Sequence, residues 1–372
     1  MFLGSFAWSF VFISLPFHIE HISTVDAAST LRWTGWILGI SSLVTVVTSP
    51  LWGMLAGRGD PKRFYVRSQA LQAVGFVGMA VARTLPELFL VRIVLGAAGA
   101  SSTFAFIMAG RESDPGVVRS RVTAVQSAMT VGQVIGPLVG AIAAARIGFR
   151  PSFVLGAALL LACAGLVEWL LPSGPEREAT VAAPRPAPPI REVVAVSLLI
   201  LGGSTQIFFL TAILPQALPP LGVAKADTLE IGGVLIFASG VGVALGSLVA
   251  SRLAELAPER TLIPALLLTS SLLLASMAFT SSVWLYGIAR FLQVLCIAPV
   301  FPIVVARVAH ASGHAVGVIN SARIGAAFLG PVIATTVLSW TSPAGLYAVL
   351  AVIGLACVPL TRVRVARPGR WR

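Results

Sequence analysis

An all-α integral membrane protein, with twelve transmembrane helices in two pseudo-symmetric bundles of six, is the fold class this sequence predicts. Three observations predict it. Of 372 residues, 57% are hydrophobic and only 11% charged, against about 25% charged in a soluble domain; that leaves too little polar surface to cover a soluble particle. Apolar runs long enough to cross a bilayer, about 20 residues each, recur twelve times. Landmarks in the first half return in the second: Gly53 matches Gly246, Gly136-Pro137 matches Gly330-Pro331, and Arg92 matches Arg290, at offsets of 193, 194 and 198.

The runs fall at 2–19, 33–55, 64–83, 87–109, 119–145, 150–171, 193–218, 229–253, 261–280, 284–308, 314–339 and 343–360. The first has no basic residue before it and no small-residue cleavage site after it, so it reads as a membrane helix rather than a signal peptide. Between the sixth and seventh runs lies PSGPEREATVAAPRPAPPIRE, residues 172–192, whose prolines and charges suit a linker and cannot bury a core. The predicted organisation is a six-helix bundle over 1–171, a cytoplasmic linker over 172–192, a second bundle over 193–360 and a basic cytoplasmic tail over 361–372.

Orientation follows from the basic residues. Arg58, Lys62, Arg63, Arg67, Arg111, Arg119, Arg121, Arg177, Arg185, Arg191, Arg252, Arg260, Arg307 and the tail arginines flank one side; Arg32, Arg83, Arg146, Arg150 and Lys225 flank the other. The richer side is cytoplasmic by the positive-inside rule, which puts both termini and the linker in the cytoplasm of a cell (inner) membrane. The formal charge of +12 is therefore a topology signal, and no basic domain exists to bind nucleic acid. Cys163, Cys296 and Cys357 lie in apolar runs without metal or disulfide spacing. No nucleophile elbow, zinc-protease helix or phosphate-binding loop occurs, so neither an enzyme nor an ATP-driven pump is expected, nor a metal or other cofactor.

Within the fifth run, VGQVIGPLVG sets Gly132, Gly136 and Gly140 four apart around Pro137. Such residues weaken a helix in water; in lipid a small-residue stripe admits a close neighbour, and the proline bends the helix. Gly242 and Gly246 repeat the pattern in the eighth run. These stripes suit two halves that rock against each other, or simply close packing.

Ionisable side chains inside a membrane usually face a cavity or a partner. Arg92, Arg290 and Arg323 hold such positions, whereas the 14 acids map to loops and helix ends. Arg92 also suits a structural role, reaching the interface or binding backbone carbonyls. Gln126, Gln133, Gln206, Phe209, Gln293 and Asn320 supply amides and an aromatic ring; with Arg92 and Arg323 they are the candidate substrate cavity. Arginine does not give up its proton, so Glu20 and Glu112, at helix ends, are the candidates for proton coupling.

Three stretches carry a family resemblance. GMLAGRGDPKR (53–63) resembles the loop motif between the second and third helices of the major facilitator superfamily: Gly53, Leu55, Ala56, Arg58 and Lys62 fit, Gly57 stands where the family has an acid, and Asp60 is offered as its shifted replacement. LVRIVLGAAGA (90–100) resembles the fourth-helix motif through Arg92 and Gly96. GQVIGPLVGA (132–141) resembles the fifth-helix motif of the drug:H+ antiporters, with Ala141 in place of the last glycine. The resemblance implies a secondary active transporter working by alternating access, which exports small organic compounds in exchange for protons. Gly53, Arg58, Asp60, Lys62, Gly132, Gly136, Pro137, Gly140, Gly330 and Pro331 would serve the conformational change. The alternative is an organic-anion transporter or facilitator without a membrane-embedded coupling acid. The expected partners are a small organic substrate, protons and the lipid bilayer, and a monomer is expected.

Overall fold

A computed structural model describes residues 1–57, 59–110, 114–171, 189–308 and 313–362, with the side chains at 57, 115, 306–308, 313–317, 320 and 362 left out. Arg58, Glu112, the Asn320 side chain, most of the 172–192 linker and the tail beyond 362 thus lie outside the described residues. Helices fill every predicted run. The twelve spans, in order, are Phe2–Phe12 with Leu15–Ile22, Ala27–Gly57, Pro61–Val81, Leu85–Ala97 with Ser101–Ala109, Pro115–Ile147, Phe149–Leu170, Ile190–Phe208 with Leu210–Ala217, Thr228–Leu256, Glu259–Ser276, Val283–Ile297 with Val300–Val308, Gly313–Leu338, and Pro343–Ala356. Several outrun the apolar stretch that announced them, because capped polar turns extend the helix past the hydrocarbon. Asp60, Thr84, Asp114, Ser282 and Ser342 each accept a backbone N–H in the first turn, satisfying donors that a helix start leaves open. Asp26 accepts the Ser29 N–H at 2.8 Å, and that bond holds its carboxyl below the ordinary carboxylate range.

Eleven of the spans are apolar enough to cross a membrane on composition alone; the third is not among them. It carries Ser68, Gln69 and Gln72, all buried within the protein, so these three are answered by protein rather than lipid. The outside of the molecule is the reverse. Val74, Leu248, Leu272 and Trp284 are all largely exposed, as expected of side chains solvated by acyl chains.

The two halves share one internal pairing. In each, the first helix packs on the fifth, the second on the fourth and the third on the sixth. Across the molecule the second span meets the eleventh and the fifth meets the eighth, which is the exchange that a twofold axis between duplicated halves requires. The spans that break into two pieces are the first, fourth, seventh and tenth. Pro16 and Pro299 lie at two of these breaks, where a missing N–H and a ring clash interrupt the ladder; Gly96 and Gly99 lie at a third.

The glycine stripe of the fifth span faces its own bundle. A Cβ at Gly132 would stand 2.6 Å from the Phe2 carbonyl oxygen and one at Gly136 2.9 Å from that of Phe6, while Gly140 abuts Phe10. Gly242 and Gly246 likewise press on the tenth span of their own half. These stripes weld neighbours within a bundle. The glycines between halves are different ones: a Cβ at Gly35 would lie 2.9 Å from the Pro331 carbonyl oxygen and one at Gly39 2.8 Å from that of Phe328, while Gly233 lies against Pro137 and Ala141 and Gly240 against Val134. All belong to the ends nearer Asp26 and Lys225. Toward the other end, a Cβ at Gly53 would meet nothing within 4 Å among the described residues. The halves therefore close at the end predicted to face outward and part at the end carrying Met1.

Candidate functional site

The inner face of the first half holds a cavity of about 280 Å³, lined from the first span by Trp8 and Phe12, from the second by Ser41 and Thr45, from the third by Gln69 and Gln72, and by Arg92 and Gln133, with Ile324 facing it from the second half. Its polar wall is built on the break in the fourth span. Breaking that helix frees carbonyls that lipid cannot satisfy, and leaving one buried and unpaired costs about 1–3 kcal/mol. Thr45 donates to the Gly96 carbonyl at 2.8 Å, the Trp52 indole to Ala97 at 2.6 Å, and Ser68 and the Gln72 amide to Ala98 at 2.6 and 2.7 Å. Gln72 also accepts the Trp8 indole N–H. The third span's amides and hydroxyls are the price of a broken fourth span, and they face the cavity because the break does.

Arg92 is buried beneath this wall. Its Nε donates to the Ile37 carbonyl and its Nη2 to that of Leu38, both at 2.9 Å. The guanidinium lies 5.6 Å from the Trp8 ring and 5.7 Å from that of Phe12, so aromatic faces and carbonyl dipoles surround the charge, with no carboxylate among its described partners. It is the charged side chain among the cavity's described lining residues.

The second half carries the counterpart. Trp8, Gln72 and Arg92 are answered, at a constant offset of 198, by Gln206, Ser270 and Arg290. Here the groups close on one another. Arg290 donates to the Gln206 and Ile207 carbonyls at 2.7 Å each, at the break in the seventh span, and to Gln293 Oε1 at 2.6 Å; Phe209 lies 4.9 Å from its guanidinium. Gln206 donates to Ser271 and to the Leu350 carbonyl and accepts from Gln293 and Ser270. Gln206, Phe209 and Gln293 are wholly buried. The expectation that they line a substrate cavity meets this geometry: they form the polar core of the second bundle, because each finds its partners inside it.

The other expected residues scatter. Gln133 reaches the cavity; Gln126, exposed on the same helix, is not among its lining residues. Arg323 keeps an accessible side chain with its guanidinium 5.1 Å from the Phe301 ring, one residue before cavity-lining Ile324. Lys62 is buried and donates to the Glu168 carbonyl at 2.8 Å, tying the third span to the sixth. Asp60 caps the third span and lies 3.8 Å from Arg63, so in this state it acts within the first half. Gly330 packs on Phe208 and Thr205 of the seventh span, while the Pro331 carbonyl faces Gly35 across the halves. Glu20 is exposed at the end of the first span.

Two broken-helix bundles related by a twofold exchange, closed at one end around a polar cavity, define a secondary transporter. The Major Facilitator Superfamily profile matches residues 1–232, and the chain belongs to that superfamily: a multi-pass membrane transporter of small molecules, and not an enzyme. Among proteins it is similar to, the multidrug resistance protein MdtG of Citrobacter koseri is 27% identical over 304 residues, spanning 78% of this chain and 73% of that one, and the MdtG of Enterobacter lignolyticus is 26% identical over 78% and 71%. Solved structures share the fold: the nucleoside transporter NupG (TM-score 0.75, 14% identity, 97% of both chains) and the human organic anion transporter MFSD10 (TM-score 0.68, 15% identity, 97% and 96%).

Proposed function

We propose that this protein exports small amphipathic organic compounds in exchange for protons, loading them from the cytoplasm into the cavity above Arg92. The observation that carries the reading is the cavity itself: aromatic rings, amides and hydroxyls around one buried cation, accessible from the end that the arginine bias assigns to the cytoplasm. Apolar walls with a few placed polar groups suit organic molecules, and relatives that match most of the chain are named multidrug resistance proteins. Residues 1–171 and 190–360 are the two rocking bodies and the segment between them the cytoplasmic tether, with Ile190–Glu192 of the expected 172–192 linker belonging to the seventh span. Arg92 and Gln133 contact the substrate, with Arg323 at the cavity's mouth. The test is proteoliposomes loaded with a pH-sensitive dye: addition of a substrate should drive proton movement, and transport should collapse when the gradient is dissipated.

A second reading rests on the charge of Arg92. With a cation and no carboxylate among the described lining residues, the cavity favours anionic over cationic compounds. Ligand-induced thermal stabilisation across anionic, neutral and cationic compounds of similar size separates the two readings, since cations alone stabilising the protein would remove the anion reading.

A further inference from the structure

The antiport reading lacks a proton carrier within the membrane interior, because the acids, Glu20 and Glu112 included, map to loops and helix ends and the embedded arginines hold their protons. One imidazole occupies a different kind of place. His18 sits in the outer piece of the broken first span, Leu15–Ile22, and is 1% exposed. Neither its Nδ1 nor its Nε2 has a hydrogen-bond partner among the described residues. Its ring meets the edge of Phe153 at 5.1 Å and lies 5.6 Å from Phe149, both on the sixth span. A buried imidazole costs stability when its nitrogens find no partners, and packing alone would be served as well by a phenyl ring.

We propose that His18 is the proton-binding site through which the outer end of the transporter is coupled to protons; this rests on the antiport reading above. The short segment bearing His18 is separated from Phe2–Phe12 by the break at residues 13 and 14. It packs against the sixth span through His18 and against Leu210–Ala217 of the opposite half, so it belongs to the closed outer seam. On its own half's side of that segment the imidazole faces two phenyl rings, with no acceptor among the described residues, and a second N–H would have nowhere to donate. The neighbouring ionisable groups are Arg150 of the sixth span and His21, one turn on. Arg32 is the ionisable residue of the second span, and Leu210–Ala217 carries none. Opening the seam frees Leu15–Ile22 from Leu210–Ala217; as the freed segment shifts off Phe149 and Phe153, water reaches His18 by way of exposed His21 and the ring takes a proton from the outer solution, and closing returns it to a site where no described residue accepts and displaces that proton. Proton binding and outer opening thus favour each other, as linkage requires, in the pH range where an imidazole responds.

The experiment uses the full chain in proteoliposomes and in nanodiscs, comparing wild type with His18→Gln. In liposomes, substrate-driven proton flux should fall about tenfold or more in His18→Gln, while substrate counterflow without a gradient persists, which shows a folded, binding protein. In nanodiscs, spin labels on Val25→Cys and Lys225→Cys, in a background with Cys163, Cys296 and Cys357 replaced by Ser, report the outer seam. The open fraction should rise about threefold or more between roughly pH 7.5 and 5.5 in wild type and stay flat in His18→Gln. Unchanged proton flux or an unchanged pH response in the variant overturns the proposal. Absent flux in wild type with a His18-dependent pH response overturns antiport and retains His18 as the proton site. His18→Phe, which matches its aromatic surroundings, replaces the variant if counterflow shows that His18→Gln has not folded.

Discussion

Arg92 and Arg290 stand at matching places in the two halves, yet one borders a cavity and the other is sealed inside its bundle. Both lie on the fourth helix of their half, both use backbone carbonyls of a neighbouring span, and both stack near aromatic rings. The difference lies in what surrounds them. Around Arg290 the partner Gln293 is one turn along the same helix and Gln206 closes the ring from the seventh span. Around Arg92 the equivalent of Gln206 is Trp8, whose single N–H goes to Gln72 and whose ring forms cavity wall. A duplicated scaffold has kept a cation at the same depth twice and used it for two ends: one half holds itself together with it, the other presents it.

The largest way to break this contrast is Arg290→Ala. Three acceptors would lose their donor inside a wholly buried core, a cost of about 3 kcal/mol or more; the detergent-solubilised protein should melt well below wild type or fail to accumulate. An Arg290→Ala protein with wild-type thermal stability would erase the distinction. Next is Arg92→Ala, where stability should fall less, because Ile37 and Leu38 lie within a continuous helix, while transport falls about tenfold or more. Equal losses of stability for the two alanine variants would assign Arg92 to scaffolding.

Gly35→Val probes the seam rather than either bundle. Its side chain has no room beside the Pro331 carbonyl and Thr335, so the outer end should spring apart, with a longer Val25-to-Lys225 label distance and transport reduced about fivefold. Gln133→Ala, at the cavity wall, should shift apparent affinities about two- to fivefold, differently from compound to compound. Smallest is Glu230→Gln: its carboxylate lies 3.9 Å from Arg146 across the halves at an exposed position, and such pairs contribute about 1 kcal/mol or less, so transport should change less than about twofold and thermal stability scarcely at all.

The glycines show where reading along the chain succeeds and where it stops. Four-residue spacing marks Gly132, Gly136 and Gly140 as a stripe on one helix face, and a stripe they are. Spacing does not say which neighbour meets that face, and the neighbour is the first span of the same bundle. The seam glycines, Gly35, Gly39, Gly233 and Gly240, form a weaker pattern in sequence, and their role depends on a helix from the other half. The third span teaches the converse. Its serine and glutamines lower its hydropathy, and that loss was the available signal for the cavity wall, since a polar face on a spanning helix must be answered by protein.

Composition, the spacing of apolar runs and the arginine bias determined a membrane protein of twelve spans in two related halves, because a bilayer demands about 20 apolar residues per crossing whatever their neighbours. Which of several buried amides and arginines faces a cavity was decided only in three dimensions. A glutamine inside a helix carries the same local signal whether it meets a serine, a carbonyl or a substrate, and Gln206 met protein where Gln133 met open space. The break positions, the seam and the burial of His18 share that origin: each is a relation between helices far apart in the chain, set by packing that no single segment contains.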